Sequence, residues 1–122
     1  MALARNIMKG GWSAGNARAV NGAIATGLTA AGTTISDALD LNADTNVIAT
    51  CASGAGVQVP AAEIGDSVEI HNAGANACKV YPDATGNQFN ALGAGNSFLL
   101  GTNTSCYCRK VSSTSWIVNL SA

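Results

Sequence analysis

Four cysteines, one histidine and a scatter of acidic residues are the side chains of this 122-residue sequence with the greatest chemical reach. Cys106 and Cys108 are two apart, so on an extended strand they share a face. Cys51 and Cys78 fall on other strands. A structural zinc site built from four cysteines wants paired Cys-x-x-Cys turns, and this spacing does not supply them. A bridge between Cys106 and Cys108 would be strained on a strand. Buried free thiols acting as small apolar groups are therefore expected, with a cross-strand bridge involving Cys51 or Cys78 as the alternative.

His71 is the single histidine, on the polar side of its strand beside Glu69 and Asn72. A serine-histidine-acid triad can be drawn on paper, but no nucleophile elbow accompanies it. Glu63, Asp66 and Glu69 are near one another in sequence, yet the Gly65-Asp66 turn reorients them, and a calcium loop needs denser alternating acids. Gly93-Ala94-Gly95 lacks the Lys-Ser/Thr and the strand-to-helix context of a phosphate loop. Lys79 beside Tyr81, and Tyr107 beside Arg109 and Lys110, are the nearest approach to a nucleic-acid surface, without a basic stripe. The expectation is a chain that is not an enzyme, holds no cofactor or metal, and binds neither nucleic acid nor membrane.

The elements that would position these residues are short strands. From Asp37 onward polar and apolar residues alternate between turn signals. Leu39 and Leu41 begin the pattern. Val47, Ala49 and Cys51 point one way and Ile48 and Thr50 the other. Val57-Gln58-Val59 ends at Pro60, which lacks a donor. Val68 and Ile70 alternate with Ser67, Glu69 and His71, and Asn72–Asn76 reads as a hairpin-like connection to a return strand, Cys78–Tyr81. Gln88–Leu92, Ser97–Leu100, Thr104–Val111 and Ser115–Leu120 follow, the last two joined by Ser112-Ser113-Thr114. Such spacing predicts an all-β fold: a compact sandwich or barrel of about 8–9 short strands.

Residues 1–36 read differently. Gly10 to Ser36 is almost entirely Gly, Ala, Thr, Ser and Asn, with no sustained periodicity. Arg5, Lys9 and Arg18 all precede the first acidic residue, Asp37. The division expected is an extended N-terminal arm, 1–36, carrying three positive charges, and a β-domain, 37–122.

Composition points to packing against protein. Charged residues are 11% of the chain, against roughly 25% in ordinary soluble domains. The net charge of −1 provides no field to steer nucleic acid or an acidic membrane. Six aromatics and thinly spread large aliphatics make a narrow core, which favours self-association. No run approaches the roughly 18 apolar residues of a membrane helix, and Met1–Lys9 has no long apolar run behind its charges to read as a signal peptide.

Gly56–Pro60, Gly65–Asn76, Val80-Tyr81-Pro82, Gln88–Leu92, the Ser-Phe-Leu strand and the terminal Ser-Trp-Ile together resemble small virion proteins of tailed bacteriophages. These serve as capsid decoration (cement) proteins or as modules of head and tail fibres. The resemblance spans Asp37 to Leu120 and rests on turns and alternations. It implies a homotrimer on the capsid surface of a virion, made in the host cytoplasm, with the major capsid protein as partner and the arm as attachment segment. Arg5, Lys9, Trp12 and Arg18 are then the expected capsid-binding residues, Trp12 as the apolar anchor. The alternative is a receptor- or glycan-binding module of a head or tail fibre or spike, in which exposed aromatics stack on sugar rings. The strand positions of Tyr81, Phe89, Phe98 and Trp116 favour a core role over a binding face.

Overall fold

The computed structural model describes residues 22–121. Ten strands build two sheets, with no helix among the described residues. They are β1 (Ile24–Thr29), β2 (Leu39–Asp40), β3 (Thr45–Thr50), β4 (Gly56–Gln58), β5 (Ser67–Asn72), β6 (Cys78–Tyr81), β7 (Gln88–Phe89), β8 (Phe98–Leu100), β9 (Thr104–Lys110) and β10 (Ser115–Leu120). The larger sheet runs β1-β3-β5-β9-β10-β7 and the smaller β2-β4-β6-β8. The all-β fold expected from the alternation is present.

Its winding differs from a series of hairpins. The first six strands alternate between the two sheets, and each pairs in parallel with the strand one turn of chain later: β1 with β3, β3 with β5, β2 with β4, β4 with β6. This section is a coil of three flattened turns. Antiparallel strands close it, β8 against β6 in one sheet and β9 against β5 in the other. The β9–β10 hairpin forms as its alternation predicts, with Trp116 opposite Lys110 and Leu120 opposite Cys106.

The segment Asn72–Asn76 is thus a corner between sheets instead of a hairpin turn, since β5 and β6 do not pair. Asn72 organises it from inside. Its amide donates to the carbonyls of Asn76 and Leu100, both at 2.9 Å, while its Oδ1 accepts from Gly74 N–H at 2.9 Å. A fully buried amide is tolerated here because both ends are bonded. Gly74 is required for space, not for a positive φ: a Cβ there would lie 2.9 Å from the backbone nitrogen of Cys51. Gly65 does use the left-handed region, at φ 98°, in the turn before β5. Pro82 is buried at the end of β6, an interior strand, and not at a sheet edge.

The part of the expected arm that is described belongs to the domain. β1 pairs with β3, and Gly27, at φ 68°, accompanies two register shifts that erase the period-two signal. Ala30 N–H continues onto the Thr50 carbonyl at 2.9 Å, and Ala31 bridges Gly56. The Asp37 carboxylate then collects Thr33 N–H, Thr34 N–H and the Thr34 hydroxyl at 3.0, 2.7 and 2.8 Å, ordering the turn before β2. The Tyr81 hydroxyl donates to the Thr33 carbonyl at 3.0 Å. The boundary expected at residue 36 therefore falls inside folded structure.

Other differences are local. β7 stops at Phe89 instead of Leu92 because Asn90 turns to φ 50°, where its Oδ1 accepts from Val118 N–H at 3.0 Å. Cys51 lies beyond the end of β3 and turns inward, breaking the row it was expected to share with the exposed Ala49. The core between the sheets joins Ile48, Val68, Ile70, Cys106, Cys108 and Trp116 to Val57, Cys78, Val80 and Leu100. Phe89 fills one end, edge-on to Phe98 with ring centroids 5.0 Å apart and tilted against Trp116 at 6.2 Å.

Candidate functional site

The chemistry-bearing side chains fall into three places: the core, one corner between the sheets, and the outer face of the larger sheet. All four thiols are in the core and free. Cys106 and Cys108 share the inward face of β9, with their sulfurs 3.8 Å apart. Cys78 is pushed up to about 12 by burial first and by its neighbour Cys51 second. Cys108 is raised too, mainly through its bond to Cys106 and then through burial. All four pack as small apolar groups, and no group of three or more metal-ligating side chains occurs among the described residues.

The corner was not legible in the sequence. Asp83, just past β6, receives Lys110 Nζ at 2.8 Å, Asn87 Nδ2 at 2.6 Å and the Trp116 indole N–H at 2.9 Å. Lys110 also donates to the Ala62 carbonyl at 3.0 Å and lies 5.9 Å from the Trp116 ring centroid. Burial would raise the Asp83 carboxyl, and is the largest single influence. The three donors and the lysine charge outweigh it and hold the group below its usual range. With every Asp83 contact internal, this constellation ties strand ends together. It also ties Lys110 into the fold, apart from its sequence neighbours Arg109 and Tyr107. Arg109 and Lys79 then lie in different sheets, and no basic stripe forms between them.

On the outer face of the larger sheet the strand registers assemble rows. Glu69, Tyr107 and Asn119 make one, and His71 and Ser105 lie in the next. His71 Nδ1 is 2.7 Å from Ser105 Oγ, so the structure does bring together a serine and the histidine. It stops short of a catalytic arrangement. No acid bonds His71 among the described residues, and Ser105 N–H is already given to Ser121 Oγ at 2.8 Å, leaving it no role in an oxyanion hole. Glu63 and Asp66 are separate from Glu69: Asp66 Oδ2 accepts Glu63 N–H at 3.0 Å and shapes the turn before β5. A groove of about 420 Å³ runs between Asp44 and Asp66, but Asp44 is likewise engaged, by Ala23 N–H at 2.8 Å. Gly93 and Gly95 take φ values of 99° and 73° in a loop after β7, with no helix following.

Arg5, Lys9, Trp12 and Arg18, the residues expected to bind a capsid, lie outside the described residues. Searches against family models, curated proteins and solved structures give no match to this chain.

Proposed function

We propose that this chain is a capsid decoration protein of a tailed bacteriophage, a non-enzymatic homotrimer that binds the major capsid protein on the outer surface of the assembled head. The observation that carries this reading is the character of the domain surface. Ile24, Ile64 and Leu99 stand 68%, 66% and 62% exposed on a domain with few charges. Isolated exposed apolar residues are ordinary. Several full-length aliphatic side chains around a charge-poor domain suit contact with other protein, where apolar area is removed from water at about 25 cal/mol per Å². The basic arm, with Arg5, Lys9 and Arg18, supplies the complementary element: a segment that engages the lattice.

The mechanism is mass action. A protein that binds only the assembled shell stabilises that state, by about 2.7 kcal/mol at a hundredfold excess over the dissociation constant. Binding assays with purified heads test it. The full chain saturates the particle, and deletion of residues 2–21 abolishes binding while the β-domain stays folded. Equal saturation by the truncated chain would remove the arm from the mechanism.

The fibre-module alternative depends on aromatics available to sugar rings. Trp116, Phe89 and Tyr81 are buried and Phe98 is half-buried, leaving Tyr107 as the one exposed aromatic among the described residues, which weighs against it as the main reading.

A further inference from the structure

Lys110 and Asn87 bring an amine and a carboxamide to the two oxygens of one carboxylate. Lys110 is 7% exposed and places Nζ 2.8 Å from Asp83 Oδ2. Asn87 is 9% exposed and places Nδ2 2.6 Å from Asp83 Oδ1. β10 runs between β9 and β7, so the main chains at the end of β9 and at the entry to β7 are two strand spacings, about 9.5 Å, apart. The two side chains cross that span from opposite sides and meet at Asp83. Trp116 is fully buried beside them, its ring centroid 5.9 Å from Nζ.

An amine and a carboxamide exchange into a secondary amide and ammonia when three conditions hold. The amine must lose a proton to become a nucleophile. The leaving nitrogen must gain one. Water, the competing nucleophile, must be kept out. Asp83 serves the first two, because it lies within proton-transfer reach of both nitrogens. Burial of all three side chains serves the last. Other fates of this group are closed. The ordinary attack on an asparagine side chain comes from the next backbone nitrogen, and Gln88 N–H is held by the Thr114 carbonyl at 2.9 Å. The Asn87 backbone is itself fixed, with its N–H on the Ala84 carbonyl at 3.1 Å and its carbonyl accepting Gly95 N–H at 2.8 Å. Condensation of Lys110 with Asp83 itself would expel an oxygen, and no second acid bonds Asp83 to protonate it among the described residues.

We propose that Lys110 and Asn87 join in an intramolecular isopeptide bond, with Asp83 as the proton carrier. The Lys110 ammonium passes a proton to Asp83, and the freed amine attacks Asn87 Cγ. The Nζ–Cγ bond forms and the Cγ–Nδ2 bond breaks. The departing nitrogen takes up that proton and a second one from Nζ and leaves as ammonium. Asp83 returns to the carboxylate, and nothing is oxidised or reduced. Asp83 is held below its usual range, so the neutral acid–amine pair is a minor species and the reaction is slow. Freshly folded chains carry the ion pair, and the bond replaces it as they age. The bond fastens β9 to the entry of β7 within one domain, so it stands or falls separately from capsid attachment.

Intact-mass spectrometry of the full chain, sampled over days at neutral pH, tests it. The chain becomes lighter by one molecule of ammonia. Trypsin then releases Val80–Arg109 and Lys110–Ala122 as one branched species, joined through the Lys110 side chain. The link survives alkaline hydroxylamine, which opens a succinimide. Lys110→Arg and Asn87→Ser lose no ammonia. Asn87→Ser keeps the Asp83–Lys110 pair, so its urea midpoint, matching that of the freshly folded parent, shows that the corner is intact. Asp83→Asn slows the loss by about a hundredfold or more, as removal of a positioned proton carrier does. A chain that keeps its full mass overturns the proposal. So does loss of water in place of ammonia, which makes Asp83 the acceptor, or an ammonia loss that Lys110→Arg retains, which places the chemistry at another asparagine.

Discussion

Lys110 Nζ lies 2.8 Å from Asp83 Oδ2, with the two side chains only 9% and 5% exposed. The pair joins the end of β9 to the segment that follows β6, and so couples the two sheets at one corner. Losing one partner strands the other charge in a place it cannot leave. Asp83→Ala is expected to destabilise the domain by roughly 3–5 kcal/mol, the range for breaking a buried pair. Asp83→Asn, which keeps an acceptor for Trp116, costs less. Urea denaturation followed by Trp116 fluorescence measures both, and equal stability of Asp83→Ala and the parent chain would refute the argument.

Acid should act through the same carboxylate. The folded pKa of Asp83 is depressed relative to its ordinary value of 3.8. Its contribution is complete above the unfolded-state pKa and is lost as pH falls through the folded value. Stability therefore declines below about pH 4, and the decline is shallower in Asp83→Asn. Denaturation midpoints between pH 2 and pH 6 check this sign; a midpoint that rises on acidification contradicts it.

The thiols should behave as one buried set. In native protein kept without reductant, an aromatic disulfide reagent modifies Cys51, Cys78, Cys106 and Cys108 only at the rate of global opening. After denaturation all four titrate, since none is bridged. Rapid modification of two thiols in the native state would place them at the surface.

Gly74 supplies a test of the corner between the sheets. A methyl group there meets the Cys51 backbone at 2.9 Å, and backbone cannot swing aside as a side chain can. Gly74→Ala is expected to cost roughly 1–3 kcal/mol, as overpacking does. Gly86→Ala, where a Cβ meets nothing within 4 Å, is the control and should cost far less.

Association is the remaining expectation. Light scattering coupled to size exclusion should give about three times the chain mass of 12.1 kDa. A stable monomer at micromolar concentration would contradict a trimer.

Much of the fold could be read from residue order because the signal was local. Val68 and Ile70 inside, with Glu69 and His71 outside, is a period that one strand fixes by itself, and the two inward thiols of β9 follow the same rule. β1 was missed because Gly27 and its register shifts interrupt the period and only Leu28 packs on the core. The hairpin expected at Asn72–Asn76 failed for a different reason. A short polar loop with glycine looks the same whether the chain returns beside itself or crosses to the other sheet, and partner choice is decided by β3 and β9. The Asp83 corner unites residues from four separate stretches of chain, none unusual where it stands. The Tyr107 row depends likewise on register between three strands, so no single stretch announces it.

The winding of the first six strands has a consequence for synthesis. β5 and β6 end the coil with their outer sides unpaired until β9 and β8 arrive to cover them. A chain that stops before Phe98 therefore presents two parallel edges on the same turn, ready to template another strand on each. The closing strands remove both templates from the growing end of the coil, leaving β1 and β2 as the sheet edges at its start.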